Sequence, residues 1–388
     1  MRFFAEELDK LKKLNLYRYL RVIDSPQDVQ LTINGKTYIS FSSNNYLGLA
    51  NYPYLKSKSI EAIGKYGCGA GASRLISGNL KIYEELEDKI AKFKNTKSSL
   101  VFPTGYMANI GAITSLVDAK DAVIIDHLNH ASIIDACKQS GAKILVYSHK
   151  DLNQLEKILK RYINFRRRLI ITDTIFSMDG DIAPLPEIVK LAKQNDAMLM
   201  IDDAHGTGVL GKNGKGALEY FGIDEKSVDV VMGTLSKAIG SLGGFVAGSF
   251  ELIDYLRNKA RSFIYTTALP AGVCGAAIAG IEMIEKEKKL NEKLWNNTKY
   301  LLGKLKEHKL NTLDSETPII PILIGDTEKT LDIAKELFEN GIFVPAIRPP
   351  TVPNGTSRLR ISLTSGHTKE HLDKLIEMLK RDAETSSA

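Results

Sequence analysis

Asp202, His205 and Lys237 are the residues of this chain whose types and spacing point most directly to chemistry. The stretch Ala197-Met-Leu-Met-Ile-Asp-Asp-Ala-His-Gly-Thr-Gly-Val-Leu-Gly211 reads as a buried strand, Ala197 to Ile201, that ends on a carboxylate and then a histidine. A second apolar run, Val228 to Met232, leads into Gly233-Thr-Leu-Ser-Lys-Ala238 and delivers Thr234, Ser236 and Lys237. A carboxylate, an imidazole and a lysine at one sheet edge can grip a cationic heteroaromatic ring and an aldehyde, which is what a pyridoxal phosphate site requires.

Each residue also has an ordinary reading. Asp202 can cap the next element, His205 can be a satisfied buried histidine, and Lys237 can be a solvated lysine. Against the last, Lys237 follows a buried strand and precedes Ala-Ile-Gly-Ser-Leu-Gly-Gly, with no charge nearby in sequence. An amine in such surroundings has its pKa lowered and can form a Schiff base.

These groups need a scaffold, and residues 98 to 248 supply its pattern. The apolar strands Leu100 to Phe102, Ala122 to Ile125, Ile144 to Tyr147, Leu169 to Thr172, Ala197 to Ile201 and Val228 to Met232 alternate with helical stretches, and Phe245 to Ala247 adds one more. That alternation predicts βαβ units around a mostly parallel sheet, and the near-continuous apolar runs fit a sheet covered on both faces.

In such sheets ligands bind outside the carboxyl ends of the strands. Polar groups follow five strand ends in succession: Pro103-Thr-Gly-Tyr106, Asp126-His-Leu-Asn-His130, Asp173-Thr-Ile-Phe-Ser177, then the Asp202 and Thr234 blocks. Gly105 and Tyr106 open a helix whose free N–H groups can hold a phosphate, although such turns are common in α/β proteins. His130 can stack on a ring or start a helix. Ser177 and Thr234 can donate to a ring hydroxyl and a phosphate. Arg358 and Arg360 alternate along one strand face, suited to a substrate carboxylate or to a salt bridge.

Around this core, residues 3 to 20 read as an amphipathic arm, and Leu31-Thr-Ile-Asn-Gly-Lys-Thr-Tyr-Ile39 as a hairpin on an Asn-Gly turn. Past about residue 285 a charged helix (Lys286 to His308), Ile319 to Leu323, a helix from Lys329 to Asn340, strands Ile342 to Ala346 and Arg358 to Leu363, and a helix from Lys369 form a smaller α+β unit. The expected division is 1–45 (arm with hairpin), 46–285 (large domain) and 286–388 (small domain).

Composition narrows the function classes. A net charge of +6 on 388 residues suits an anionic small molecule, and no basic stripe or aromatic platform points to nucleic acid. Cys68, Cys137 and Cys274 lack metal-ligand spacing, so no metal or disulfide framework is expected and the cytosol is the natural compartment. The uncharged stretch Ala268 to Ile281 is too short to span a bilayer, so no membrane association is expected.

The motifs Phe41-Ser-Ser-Asn-Asn-Tyr-Leu-Gly-Leu49, Gly69-Ala-Gly-Ala-Ser-Arg74, Ser77-Gly78, Ile175-Phe-Ser-Met-Asp-Gly-Asp181, Asp202 to Gly208, Thr234 to Ala238 and Arg358-Leu-Arg-Ile361 span nearly the whole chain. With them it resembles the α-oxoamine synthases, fold-type I pyridoxal phosphate enzymes that join an amino acid to an acyl-CoA with loss of CO₂. The resemblance implies a large domain with a mostly parallel mixed sheet flanked by helices, a smaller C-terminal α+β domain and an N-terminal arm.

It makes Lys237 the Schiff-base lysine and Asp202 the partner of the pyridine nitrogen. His205 and Ser177 become contacts to the ring's 3-oxygen, and His130 the stacking group, facing cofactor and substrate. Lys237, His130, Asp202 and His205 are then catalytic. Gly105, Tyr106 and Thr234 fall at the phosphate cradle, and Asn44 and Arg360 match positions that hold the amino acid's carboxylate. The family builds its sites at a homodimer interface, where Thr266 or Thr267 would reach the partner's phosphate.

Pro349-Pro-Thr-Val-Pro353, leading into Gly355-Thr-Ser-Arg-Leu-Arg360, looks most like the biotin-pathway member, which uses L-alanine and a pimeloyl thioester, carried on CoA or a carrier protein. Thr351 would then lie near the substrate, and Arg18 or Arg21 would meet the acyl group. Asp173 stands where the family pattern leads one to expect Glu. The alternatives are another acyl-CoA member, such as one that acetylates glycine, and a non-catalytic paralogue that binds a partner.

Overall fold

The computed structural model describes residues 2–18 and 20–385. The chain divides into two compact units. One gathers the N-terminal residues to Gly48, the short piece Met178–Asp181 and the chain from Glu292 on; the other holds Leu49–Ser177 and Ile182–Asn291.

The first unit begins with the helix Arg2–Lys13 and the hairpin of β1 (Gln30–Ile33) and β2 (Lys36–Ser40). The turn between them puts Asn34 at φ 50° and Gly35 at φ 72°. Both central residues of a type I′ turn need positive φ, and Asn-Gly tolerates it best. Period-2 alternation then turns Leu31, Ile33, Tyr38 and Ser40 inward, where all four are buried.

The second unit is built on a seven-stranded sheet. Its strands are β3 (Ser98–Phe102), β4 (Ala122–Asp126), β5 (Lys143–Tyr147), β6 (Arg168–Asp173), β7 (Met198–Asp202), β8 (Val230–Thr234) and β9 (Gly244–Gly248). Their order is β3-β9-β8-β7-β6-β4-β5. All pairings from β8 to β5 are parallel, while β9 runs antiparallel to both β8 and β3.

The inner strands β4, β6 and β8 are buried along their whole length, as expected for strands covered on both faces. The edge strand β5 instead exposes Lys143 and Val146. The mostly parallel sheet read from the apolar runs is observed with every expected strand present, and the antiparallel β9 makes it the mixed sheet that the resemblance implies.

In the rest of the first unit lie β10 (Ile319–Gly325), β11 (Ile342–Phe343), β12 (Ala346–Ile347) and β13 (Ser357–Ser362). They complete two three-stranded sheets, β1-β2-β11 and β10-β13-β12. The single strand expected over Ile342 to Ala346 is therefore divided. Phe343 accepts from Phe41 N at 2.9 Å and Pro345 from Arg360 N at 3.0 Å, so carbonyls two residues apart serve different sheets. Pro345 has no N–H with which to carry the first ladder onward. Among the described residues, no helix is long and apolar enough to cross a membrane.

Candidate active site

The pairing pattern explains why polar strand ends converge. Strands β8, β7, β6 and β4 are parallel neighbours, so Thr234, Asp202, Asp173 and Asp126, their last residues, fall on one edge. Strand β3 reaches the same edge because β9, between β3 and β8, is antiparallel to both.

At that edge Asp202 is buried, 4% exposed, with each of its oxygens accepting a hydrogen bond. Its Oδ1 accepts from Ala204 N at 3.0 Å and its Oδ2 from Asn109 Nδ2 at 2.8 Å. Asn109 lies one turn inside the helix Gly105–Leu116 and also donates to Ser132 Oγ at 2.9 Å. Three residues beyond Asp202, His205 is buried, and its Nε2 stands 2.9 Å from Lys237 Nζ. The half-buried Lys237 follows β8, adjacent to β7, and so the two strand ends bring amine and imidazole together.

His130 begins the helix Ala131–Ser140, and its Nδ1 pairs with Ser132 Oγ at 2.8 Å. Although His130 is exposed, partial loss of hydration pushes its pKa down; Asp202 opposes this and Lys237 adds to it. Asp173, in register with Asp202 across β6 and β7, accepts from Asn129 Nδ2 at 2.7 Å and His130 N at 3.0 Å. Burial first, and then the Asp202 carboxylate, push Asp173 above the usual carboxylate range. The shorter acid in place of the expected Glu thus anchors the backbone of His130.

Thr104 caps the helix Gly105–Leu116, accepting from Met107 N at 3.1 Å. A Cβ on Gly244 would lie 2.6 Å from Gly105 Cα, so the helix start packs directly on β9. Thr234 Oγ1 lies 2.8 Å from Ser236 Oγ and donates to Gly243 O at 2.9 Å. Tyr106 is exposed, its hydroxyl paired with Asp135. Ser177 is half-buried on the segment after β6. Thr266 is half-buried, and the exposed Thr267 bridges Ser73 at the glycine-rich loop.

The first unit holds the other candidates. The two arginines of β13 diverge in fate although the alternation puts both on one face. Arg358 pairs with Asp179, the salt-bridge reading. Arg360, 5% exposed, donates through Nη1 and Nη2 to Asn44 Oδ1 at 3.3 and 3.2 Å, and to Ser362 Oγ at 2.7 Å. Beside them burial pushes Tyr46 up to about 12, opposed by Arg360.

The arm arginines also separate. Arg21 lies over the rings of Phe338 and Phe343, 5.0 and 5.2 Å from their centroids, whereas Arg18 Nη2 reaches Thr351 Oγ1 at 3.4 Å. Asn109 and Asn129 went unread in the sequence. The only signal was an amide inside an otherwise apolar helical stretch and another in a polar strand-end loop.

Comparisons with known proteins place nearly the whole chain in one family. The family model described as aminotransferase class I and II matches residues 36–379. The 8-amino-7-oxononanoate synthase of Thermoanaerobacter pseudethanolicus is 48% identical over 380 residues, covering 98% of this chain and 96% of the relative. That of Symbiobacterium thermophilum is 49% identical over 375 residues, covering 96% and 95%. Among solved structures, serine palmitoyltransferase of Sphingomonas wittichii superposes with a TM-score of 0.93 at 31% identity, covering 100% of this chain and 97% of that one. The 8-amino-7-oxononanoate synthase of Francisella tularensis gives 0.80 at 30%, covering 90% and 99%. The chain belongs to the aminotransferase class I and II family, in keeping with its resemblance to the α-oxoamine synthases.

Proposed function

We propose that this protein is a pyridoxal phosphate-dependent acyltransferase that condenses L-alanine with a pimeloyl thioester to give 8-amino-7-oxononanoate, the thiol and CO₂, a step of biotin biosynthesis. The observation that carries it is the contact of Lys237 with His205 beside the buried Asp202, in a chain nearly half identical, end to end, to 8-amino-7-oxononanoate synthases.

The residues present fit the cofactor. Asp202 keeps both oxygens supported by donors, as an anion facing a protonated ring nitrogen requires. The capped start of the helix Gly105–Leu116, Tyr106 and Thr234 would hold the phosphate, and Lys237 the aldehyde carbon. His130 would lie against the ring face, and His205 and Ser177 would serve the 3-oxygen. The cofactor, when bound, supplies an electron sink for the pair left as the amino acid's α-proton departs.

The chain's own residues do the rest. Arg360, steadied by Asn44 and Ser362, takes the alanine carboxylate in a bidentate pair. Lys237 Nζ removes the α-proton, and His205 Nε2, in hydrogen-bond reach, keeps the amine oriented. Arg18, beside Thr351, is assigned to the acyl substrate, because Arg21 is committed to Phe338 and Phe343. The same reading takes the protein as a cytoplasmic homodimer in which Thr266 or Thr267 serves the partner's phosphate, supported by the exposure of Thr267 and by free Cys68, Cys137 and Cys274.

The test is a matrix of alanine, glycine and serine against pimeloyl-CoA and acetyl-CoA, with products identified by mass. Alanine with pimeloyl-CoA should be the productive pair. Glycine with acetyl-CoA as the best pair would move the protein to the alternative branch, and no product from any pair would overturn the reading.

A further inference from the structure

The strand end that carries Asp202 holds a second carboxylate with no part in the chemistry above. Successive residues of a strand face opposite ways, and Asp203 turns from the sheet edge into the protein. Its Oδ2 accepts from Lys94 Nζ at 2.7 Å and its Oδ1 from Thr174 Oγ1 at 2.7 Å and Ala217 N at 3.2 Å. Lys94, at the end of the helix Lys81–Lys94, spends its remaining protons on Thr207 Oγ1 at 2.8 Å and Lys215 O at 2.7 Å. An ammonium has three donors, and here all three are used. The two side chains are 3% and 2% exposed.

The surrounding backbone is fitted to this pair. A Cβ on Gly206 would lie 2.1 Å from Asp203 Oδ1, and one on Gly216 1.8 Å from Oδ2. The Asp203 carbonyl accepts from Thr207 N and from Thr207 Oγ1, both at 2.8 Å, closing a turn that contains His205. Asp203 N in turn donates to Met232 O at 2.8 Å, tying that turn to β8, the strand that delivers Lys237. The ion pair thus grips, from behind, the five residues Asp203–Thr207 that follow Asp202 and carry His205.

A buried ion pair is weak evidence for stability, since apolar residues often replace one without loss; fixing one geometry is a better-attested use. We propose that Lys94 and Asp203 are positioning residues for the reaction: by locking the Asp203–Thr207 turn to the helix Lys81–Lys94, they set where Asp202 meets the cofactor ring and where His205 meets Lys237. The inference rests on the functional reading above. Side chains held by such supports are misplaced by fractions of an ångström when the support is lost, and that is enough to slow chemistry.

The test uses the holoenzyme and the double variant Lys94→Met/Asp203→Asn, which removes both charges together, with Thr174→Val as a milder change that leaves the ion pair in place. Readouts are the dissociation constant for pyridoxal phosphate, the visible absorption of the bound cofactor against pH, kcat and KM separately, and the melting temperature. The double variant should bind cofactor about tenfold more weakly, shift the pH midpoint of the absorption and lose about tenfold in kcat, with KM for alanine little changed. Thr174→Val should move the same readouts in the same direction by about twofold to threefold.

Variants that melt lower but keep wild-type cofactor affinity, absorption midpoint and kcat would overturn the proposal and leave the pair structural. If the double variant does not fold, the isosteric single variant Asp203→Asn decides, and wild-type cofactor affinity, absorption midpoint and kcat in it overturn the proposal. Failure of the wild type itself to bind pyridoxal phosphate would instead strike the functional reading.

Discussion

Lys237 Nζ and His205 Nε2 are 2.9 Å apart, two basic nitrogens that share one hydrogen bond at the end of adjacent parallel strands. Only one donates into that bond, and an amine that donates there from one N–H still keeps its other N–H groups or its lone pair, so the contact orients the amine with either imidazole tautomer. The contact therefore decides where Lys237 points.

Replacing His205 with Ala removes that partner but not the amine. Turnover should fall by about 10²- to 10³-fold, with the covalent link to Lys237 still forming. Steady-state kinetics beside borohydride reduction and peptide mapping measure the two effects separately.

Asp202→Asn keeps the shape at the strand end and removes the charge that the ring nitrogen needs. The expected loss in kcat is about 10²-fold or more, whereas Asn109→Ala, which releases Asp202 Oδ2 and Ser132 Oγ but leaves the charge in place, should cost about tenfold. Equal losses in the two variants would place the effect in the hydrogen bond and not in the charge.

Arg358 and Arg360 should respond differently although they are two residues apart on one strand. Arg360→Lys loses the planar fork and should raise KM for alanine by about 10²-fold. Arg358→Met should leave that KM within twofold but lower stability by about 1–3 kcal/mol, because Asp179 loses its partner while remaining partly hydrated. Alanine saturation curves and urea denaturation of both variants provide the measurement.

His367 gives a pH dependence of stability that is separate from catalysis. It is fully buried, its ring stacks on Phe41 at 4.3 Å, Nδ1 accepts from Thr364 N at 3.0 Å and Nε2 donates to Ser40 O at 3.1 Å. Burial, the largest influence, lowers its pKa from the ordinary 6.5 to about 4. Between those values the unfolded imidazole binds a proton and the folded one does not, so acid favours the unfolded chain. The contribution is complete above pH 6.5, is lost as pH falls through 6.5 and levels off near 4. From pH 7.5 to 5 the wild type should lose about 2 kcal/mol that His367→Gln does not lose, read from urea midpoints.

The strand ends were legible because each apolar run stops abruptly at a polar, chemically capable residue, and because parallel strands must end on one edge. Asp202, His205, Lys237 and Thr234 fall together for that reason, and the Asn-Gly hairpin was legible from its turn alone. Partnerships formed at long range were not. Lys94 closes a helix as an ordinary last-turn lysine, and nothing local joins it to Asp203, 109 residues away. Strand alternation placed Arg358 and Arg360 on one face without saying which would meet Asp179 and which Asn44. The strand expected over Ile342 to Ala346 broke at Pro345 because its two halves answer to different sheets.

Lys237 is where the account is most exposed, and the direct measurement is made on Lys237→Ala purified beside the wild type. Borohydride reduction followed by peptide mass mapping should place the cofactor on Lys237 in the wild type and nowhere in the variant. With L-alanine and pimeloyl-CoA, the variant's turnover should fall by at least about 10³-fold. A variant that keeps full steady-state activity, or a wild-type protein that carries the cofactor on another lysine, would contradict the account.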